Sequence, residues 1–251
     1  IFIRRASSRI TYEKRERQMK KLIIIPAYNE SENIVKTVES IREKAPGFDY
    51  IIVNDCSRDA TREICESRGY PILNLPLNLG IGGAVQTGYL YAVENGYDMA
   101  VQVDGDGQHD PAYLEKMAAY MEEQKLDMVI GSRFIEKKGF QSSGMRRIGI
   151  RFFTVLIRIL TGAVITDPTS GLRLVNRRIM ENFAADYPKD YPEPETVVRV
   201  LGKGGRVGEL PVIMKEREGG VSSISSVKKS AYYMIKVSVA IVIEKIRGGR
   251  L

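Results

Sequence analysis

The most informative stretch of this chain is Val101-Gln102-Val103-Asp104-Gly105-Asp106-Gly107-Gln108-His109-Asp110-Pro111. A short β-branched run ends in two carboxylates one residue apart, and an amide side chain follows them. Alternate side chains of an extended segment project to one side, so we expect Asp104, Asp106 and Gln108 to present oxygen atoms to one cation. Oxygen ligands suit Mg²⁺ or Mn²⁺, which keep positions open for phosphate. The stretch therefore predicts a strand end where a metal binds a diphosphate, a pattern typical of nucleotide-sugar chemistry.

The same stretch mimics a calcium-binding loop, because acidic or amide residues recur at alternate positions from Asp104 and Glu115 stands twelfth. Such a loop needs glycine at its sixth position, where this chain has His109. A strand rather than a helix precedes the stretch, and Pro111 is typical of a first helical residue with Asp110 as its cap. These features disfavour the calcium loop, while a solvated acidic turn without a ligand stays open as an alternative.

Composition favours an ordinary globular protein with ample core, because 251 residues with 43% hydrophobic content suffice for one large domain or two small ones. The two cysteines, Cys56 and Cys65, are too few for a disulfide framework, which favours a reducing compartment. The longest apolar runs, Phe152–Ile165 and Tyr232–Ile243, are each interrupted by a cation. Both are shorter than the roughly 20 residues that a spanning helix needs. We therefore expect no membrane crossing.

The net charge of +7 is divided unevenly along the chain. Residues 22–130 hold 8 Lys/Arg against 18 Asp/Glu, whereas residues 131–251 hold 22 against 11. Residues 1–18 are strongly basic and precede Met19, so they are interpreted as a basic extension or a segment left over from recombinant expression. The basic second half implies an anionic partner: a phosphorylated substrate, a lipid surface or nucleic acid. Nucleic acid is the weakest of the three, because neither an RNA-binding aromatic motif nor zinc-finger spacing is present.

Strand-like and helix-like segments alternate through the first half. Strands are predicted at Leu22–Ile25, Tyr50–Val53, Ile72–Leu75, Met99–Val103 and Met128–Ile130, and helices over 31–44, 59–68, 82–94 and 111–124. This alternation predicts an α/β fold with a mostly parallel central sheet flanked by helices, and ligands bind such sheets outside the carboxyl ends of the strands. Polar motifs follow four of these ends, at 26–30, 54–57, 78–83 and 104–108. We expect them to line one crevice.

The second half is less regular. Helices are predicted over 145–160, 194–202 and 227–247, and a strand at Arg206–Met214. We expect one domain over 19–225, with a nucleotide half to about 130 and an acceptor half after it. The segment 226–251 then forms a basic amphipathic helix, which either packs onto the sheet or lies on an anionic membrane.

Individual side chains at these strand ends suit a phosphorylated nucleotide. Tyr28 and Glu30 could stack on a base and accept hydrogen bonds, and Asp55 repeats that pattern, although an ordinary capped turn is the alternative. Arg133 follows a strand and could bind phosphate oxygens in a bidentate manner, or else form a surface ion pair. Asp167 places another carboxylate near the acceptor half.

Further cations could bind the acceptor. Arg147, Arg151 and Arg158 share one face of a predicted helix, either as a solvated stripe or as a contact for phosphate or anionic lipid. The residues expected to bind acceptor or phosphate are Arg133, Arg147, Arg151, Ser170, Arg217 and Ser222. Arg217 and Ser222 belong to a glycine-rich loop that could close over phosphates.

Together these motifs resemble family 2 glycosyltransferases, in the subgroup of polyprenyl-phosphate sugar transferases such as dolichyl-phosphate mannose synthases. The motifs that carry the resemblance are Pro26-Ala27-Tyr28-Asn29-Glu30, Asn54-Asp55-Cys56-Ser57, Asn78-Leu79-Gly80, Asp104-Gly105-Asp106-Gly107-Gln108-His109, Gly131-Ser132-Arg133 and Asp167-Pro168-Thr169-Ser170-Gly171. The resemblance implies the nucleotide-diphospho-sugar transferase (GT-A) fold. It also implies that Pro26, Tyr28, Glu30, Asp55, Gly80 and Asp104 border the nucleotide, and that Asp104, Asp106 and Gln108 hold the metal.

Two departures from the family pattern stand out. Cys56 occupies a position where the family commonly has glycine, and the transmembrane helices that many members append are missing from this sequence. We therefore expect a peripheral protein at the cytoplasmic face of the membrane, recruited by an anionic lipid surface or by a small integral membrane protein.

The expected reaction follows from these charges. Mg²⁺ or Mn²⁺ and the arginines stabilise the departing diphosphate of a UDP- or GDP-sugar, and attack from the opposite face inverts the anomeric carbon. Polyprenyl phosphate needs positioning more than a base, because its second pKa is about 6. A hydroxyl acceptor on a glycan would need a base, for which Asp167 is the candidate beside Asp106 and Arg133 as catalytic residues. A non-catalytic nucleotide-sugar-binding module is the remaining alternative.

Overall fold

The computed structural model describes residues 19–136, 138, 144–189, 192–214 and 227–248. The first half contains β1 (Lys21–Ala27), α1 (Ile34–Lys44), β2 (Asp49–Asn54), α2 (Thr61–Ser67), β3 (Ile72–Asn74), α3 (Gly80–Glu94), β4 (Met99–Gln102), a 3₁₀ turn (Pro111–Tyr113) and α4 (Leu114–Gln124). The second half contains β5 (Met128–Ser132), α5 (Gly144–Thr161), β6 (Arg173–Asn176), α6 (Arg177–Ala185), α7 (Pro192–Gly202), β7 (Val207–Pro211) and α8 (Val227–Gly248).

The strands form one seven-stranded sheet in the order β3-β2-β1-β4-β6-β5-β7. All neighbouring pairs are parallel except those of β6, which runs antiparallel to β4 and β5. The predicted mostly parallel sheet is therefore confirmed. The chain adds β2 and β3 on one side of β1 and then crosses to β4 on the other, so a crevice opens at the carboxyl ends of β1 and β4. The stretch after β4 leaves the sheet at this crevice.

Helices cover both faces of the sheet. One buried cluster joins the sheet to α1, α2 and α4, and a second joins the opposite face to α3, α5, α6, α7 and α8. The central strands are buried on both faces, which explains continuous apolar runs such as Leu22–Ile25, all fully buried. Among the helices described, none is both long and apolar enough to cross a membrane.

Two elements of the second half escaped sequence analysis. β6 has only four residues and α6 begins immediately after it, so no polar break separates them in the sequence. Asn176 ends the strand and caps the helix, because its side chain accepts a hydrogen bond from the Ile179 N–H at 3.1 Å. The predicted cap at Asp110 is confirmed, since its carboxylate accepts from the Ala112 N–H at 3.2 Å.

Candidate active site

The stretch after β4 turns instead of remaining extended, so the predicted extended geometry is wrong. β4 ends at Gln102, and Gly107 adopts the left-handed conformation, with φ of 75°. The Asp106 carboxylate accepts a hydrogen bond from the Gln108 N–H at 3.1 Å, which closes the turn. Alternate side chains of this segment therefore do not share one face in the way that a strand would impose.

Asp104 is fixed from two sides at the mouth of the crevice. Its N–H donates to Nδ1 of His109 at 3.1 Å, and its Oδ1 accepts from Nε2 of Gln102 at 2.8 Å. Its Oδ2 lies 3.8 Å from Nε2 of His109 and accepts no hydrogen bond from the described residues. The Asp104 side chain is 33% exposed, so one oxygen atom of a well-positioned carboxylate is open to a ligand.

Glycines keep side chains away from this carboxylate and its loop. A Cβ atom on Gly171 would lie 3.3 Å from Oδ2 of Asp104, and one on Gly105 would lie 3.3 Å from Cγ of Glu30. Thr37 of α1 donates its hydroxyl to the Gly105 carbonyl at 2.9 Å, and Lys44 binds Asp110 at 3.1 Å. The loop is thus anchored on α1 while its backbone stays open for close approach.

Asp106 lies deeper than Asp104, at 8% exposure, and borders a cavity of about 180 Å³ between this loop and α1. No cluster of three His, Cys, Asp or Glu side chains able to hold a metal occurs in the described part of the chain. Two carboxylates still fit Mg²⁺ or Mn²⁺, because such ions commonly take one or two protein carboxylates and fill the other positions with water and phosphate oxygens. The metal assignments of Asp104, Asp106 and Gln108 remain predictions.

The proposed nucleotide residues lie at the ends of β1 and β2. Pro26 is within β1, Tyr28 is 44% exposed and available for stacking, and Glu30 is partly buried. Asp55 is only 3% exposed, and its Oδ1 accepts from the Leu79 N–H at 2.7 Å. Asp55 therefore holds the loop that leads into α3, whose first residue is Gly80 with φ of 74°.

Two residues that follow β1 and β2 have a left-handed backbone conformation. Asn29 and Cys56 both have φ of 57°, a conformation that costs most residues energy and glycine none. The Asn29 side chain accepts from the Arg58 N–H at 2.8 Å, and its own N–H donates to Ser57 at 3.0 Å. Position 56 is thus one that favours glycine on physical grounds, which is the residue that the resemblance leads us to expect there.

Arg133 and Asp167 form a buried bidentate pair. Nε and Nη2 of Arg133 donate to Oδ2 and Oδ1 of Asp167, each at 2.7 Å, and the Arg133 N–H also donates to Oδ2 at 3.2 Å. Asp167 is fully buried and the Arg133 side chain is 8% exposed. The carboxylate that sequence analysis offered as a base is therefore engaged in orienting Arg133.

Glu209, which sequence analysis did not single out, supports this pair from β7. Its carboxylate accepts from the N–H of Thr166 at 2.7 Å and from the N–H of Asp167 at 2.9 Å. Burial raises the pKa of Glu209 above its ordinary value, and these hydrogen bonds oppose the rise. Glu209 thus fixes the backbone that presents Asp167.

Arg173 was also missed, although it is almost completely buried in β6. Its guanidinium donates to the carbonyls of Pro168 at 2.9 Å, Ser170 at 2.7 Å and Glu193, and to the Thr196 hydroxyl at 2.5 Å. Burial lowers its pKa. Arg173 therefore ties the 167–171 turn to the start of α7, and no sequence pattern distinguishes it from an ordinary strand residue.

The remaining acceptor candidates are dispersed. Ser170 is buried and donates to the Gly131 carbonyl at 2.7 Å, so its hydroxyl joins the turn to β5. Arg147 and Arg151 are exposed on α5. Arg217 and Ser222 lie outside the described residues, as does the 1–18 extension.

Comparisons with known proteins identify a family model and several relatives that match this chain. The glycosyl transferase family 2 model matches residues 22–183. An undecaprenyl-phosphate mannosyltransferase of Micrococcus luteus is 31% identical over 216 residues, 82% of this chain and 88% of the relative. A polyprenol monophosphomannose synthase of Mycolicibacterium smegmatis is 28% identical over 214 residues, 81% of this chain and 80% of the relative.

Among solved structures, glucosyl-3-phosphoglycerate synthase of Mycobacterium tuberculosis in complex with Mn²⁺, UDP and phosphoglyceric acid superposes with a TM-score of 0.68 at 16% identity. The match covers 90% of this chain and 78% of that one, which supports the GT-A fold. With the family model covering most of the chain and the strand-end site in the crevice of that fold, the chain belongs to glycosyl transferase family 2.

Proposed function

We propose that this glycosyltransferase moves a sugar from a nucleoside-diphosphate sugar to a polyprenyl phosphate, with inversion at the anomeric carbon. The relatives from Micrococcus luteus and Mycolicibacterium smegmatis carry names for transfer to such lipids. The observation that carries the proposal in this chain is the buried Arg133–Asp167 pair, because it leaves a cation oriented and a carboxylate unavailable for proton transfer. That arrangement suits an acceptor that is already anionic.

We assign the nucleotide and the metal to different side chains. Tyr28 stacks on the base, and the 78–80 turn held by Asp55 borders the nucleotide. Asp104, Asp106 and Gln108 would hold a divalent cation, Mg²⁺ or Mn²⁺. When bound, the cation supplies positive charge that stabilises the leaving diphosphate.

Arg133 contributes a second positive charge near the phosphates. Its Nη1 makes no hydrogen bond within the described part of the chain, whereas Nε and Nη2 are held by Asp167. An oriented guanidinium in a nearly buried position stabilises developing phosphate charge without reorganising. Arg147, Arg151, Ser170, Arg217 and Ser222 stay as proposed acceptor-side residues.

The test is transfer of radiolabelled sugars from a panel of UDP- and GDP-sugars to short-chain polyprenyl phosphate in detergent, with Mg²⁺, Mn²⁺ or a chelator. We expect metal-dependent label in the organic phase from one donor. Asp104→Asn should abolish it, whereas Asp98→Asn, the same change before the start of β4, should leave it intact. Label appearing only on a glycan acceptor would overturn the lipid-phosphate proposal in favour of the hydroxyl reaction, and donor binding without any transfer would favour a binding module.

Metal binding can also be measured without turnover. Mn²⁺ binding, followed by its electron paramagnetic resonance signal in the presence of UDP, should be lost in Asp104→Asn and retained in Asp98→Asn. Unchanged Mn²⁺ binding in Asp104→Asn would contradict the assignment of Asp104 to the metal.

A further inference from the structure

Exposed apolar side chains are concentrated on two neighbouring helices. α5 presents four in one stripe, and α8 presents six. These residues, here called the two-helix face, are Ile148, Phe152, Val155, Ile159, Tyr232, Ile235, Val239, Val242, Ile243 and Ile246. Ile159 is 74% exposed and Ile235 is 67% exposed. An apolar surface of this kind marks a binding surface more often than a solvated one.

The two helices pack side by side with both stripes directed outward. The rings of Phe153 and Tyr233 lie 5.7 Å apart, and a Cβ atom on Gly149 would lie 4.0 Å from Sδ of Met234. Each helix buries the stripe on its opposite side. The buried residues are Ile150, Phe153 and Ile157 on α5 and Val237 and Ile241 on α8. Because an α-helix has 3.6 residues per turn, the exposed stripes lie on the far side of each helix from the core.

α8 is fixed to the domain rather than appended to it. Arg199 of α7 donates from Nε and Nη2 to both oxygens of Glu244, at 2.9 Å and 2.8 Å, and Glu244 is 6% exposed. The outward stripe of α8 therefore keeps a defined position beside that of α5, and the two act as one surface.

Charge indicates what this surface meets. The described side chains on α5 and α8 that reach solvent include six cations: Arg147, Arg151, Arg158, Lys236, Lys245 and Arg247. Glu244 is the only acid among the residues of these two helices, and it is buried against Arg199. We infer that the two-helix face lies on an anionic lipid bilayer, with its apolar stripes in the interface and its cations at the headgroups.

This inference rests on the proposed lipid acceptor and deepens it by naming the surface that brings the enzyme to its substrate. Apolar stripes flanked by cations alone are typical of helices that lie in a lipid interface, where headgroups such as phosphatidylglycerol supply the negative charge. Over the described residues, neither α5 nor α8 is long and apolar enough to cross a bilayer. Their amphipathic character suits a position in the plane of the interface.

The experiment is cosedimentation of the full chain with vesicles of phosphatidylcholine alone or with about 30% phosphatidylglycerol added, an anionic content high enough to attract clustered cations. We expect binding to the anionic vesicles that weakens as salt is raised. Ile159→Glu and Ile235→Glu should each weaken vesicle binding about tenfold or more. Each variant removes apolar area that would be buried in the bilayer and adds a negative charge that the anionic lipid repels. The control Leu90→Glu changes an exposed apolar residue on α3 and should bind normally.

A second pair of variants keeps the inference testable if an apolar variant folds poorly. Arg158→Glu and Lys245→Glu should weaken binding to anionic vesicles, with circular dichroism confirming the fold. Equal binding to both kinds of vesicle, or unchanged binding of all four variants, would overturn the inference. Loss of a dimer in light scattering, with vesicle binding intact, would assign the face to contacts between copies instead.

The proposed function and the membrane surface can be refuted independently. Transfer to short-chain polyprenyl phosphate in detergent does not need a bilayer, so Ile159→Glu and Ile235→Glu should retain it. Absence of transfer in the unaltered chain, with anionic vesicle binding intact, would refute the proposed function but leave the membrane surface standing.

Discussion

Asp167 holds the Arg133 guanidinium through two hydrogen bonds of 2.7 Å, and the carboxylate is itself fully buried. Glu209 in turn holds the Asp167 N–H at 2.9 Å. Glu209 on β7 therefore fixes the 166–167 turn. That turn holds Asp167, which orients the Arg133 guanidinium next to the end of β5. A guanidinium fixed in this way is pre-organised for phosphate, because its plane is set by Asp167 before any ligand binds and its Nη1 has no hydrogen bond to the described residues.

Asp167→Asn should reduce turnover about 100-fold, because an amide group facing the Arg133 donors displaces the guanidinium, and a shift of about 1 Å can cost that much. The pH dependence of kcat should keep its shape, since the side chain positions a charge and transfers no proton. Steady-state kinetics across pH, with circular dichroism to check folding, make the measurement. Loss of the acidic limb with an unchanged KM for the phosphate acceptor would instead identify Asp167 as a base.

Arg133→Lys provides the companion test. A lysine keeps the charge but cannot form the bidentate pair with Asp167, so we expect a raised KM for the donor together with lower kcat. If Arg133→Lys matched the unaltered enzyme, charge alone would suffice and the orientation by Asp167 would carry no function.

Glu209 should make stability depend on pH in the direction opposite to a salt-bridged carboxylate. Burial raises its pKa in the folded state, so the folded chain binds its proton more tightly than the unfolded chain does. The contribution of Glu209 to stability is then fully present below its unfolded pKa and declines as pH rises through the raised folded value.

Glu209→Gln isolates this effect, because glutamine does not titrate. Urea unfolding of both proteins between about pH 4 and pH 8 should show the advantage of the unaltered chain shrinking as pH increases. A difference that is constant, or that grows with pH, would contradict the raised pKa.

The parts that could be predicted from sequence are those set by local pattern. Apolar strands separated by helices gave the parallel sheet, and Asp104 was correctly expected at a strand end because polar residues follow Val103 directly. The extended shape of the 104–108 segment was wrong, since Gly107 and the Asp106 turn bend it. The partner of Arg133 was not predictable, because Asp167 lies 34 residues away and meets it only through the sheet.

Orientation of helix faces was equally hard to predict. The sequence placed Arg147, Arg151 and Arg158 on one face of α5, but it did not show that Ile150, Phe153 and Ile157 would be the buried set. The exposed apolar residues of α5 have the same helical spacing, and only packing against α7 and α8 distinguishes the two sets. Arg173 and Glu209 were missed for the same reason, because their partners come from distant segments.

Cys56→Gly should stabilise the chain by roughly 0.5–1 kcal/mol, because glycine adopts the left-handed conformation without the steric cost that Cys56 bears at φ of 57°. The change also removes a 3.8 Å contact between Sγ and the Pro76 carbonyl, which is a weak interaction. Thermal unfolding should show a Tm about 1–4 °C higher for a domain of this size. Gly69→Ala, at a φ of 65° in open space, is the reverse change and should lower the Tm. A lower Tm for Cys56→Gly would mean that the Sγ contact outweighs the backbone cost.

Glu244→Gln should loosen α8, because it removes the carboxylate that holds the 6% exposed Arg199 side chain most closely and leaves only the longer ion pairs with Asp186 at 3.3 Å and Glu195 at 3.4 Å. Removing one member of a buried pair costs about 3–5 kcal/mol when no other group compensates the remaining charge, so that range is an upper bound here, whereas an exposed pair is worth about 0–1 kcal/mol. Glu181→Gln is the matched control, since Glu181 pairs with Arg177 at 2.9 Å with both side chains at least 40% exposed. Hydrogen exchange should increase across 232–248 in Glu244→Gln and stay unchanged in Glu181→Gln. Equal protection of α8 in both variants would show that the apolar contacts of Val237 and Ile241 hold the helix without the ion pair.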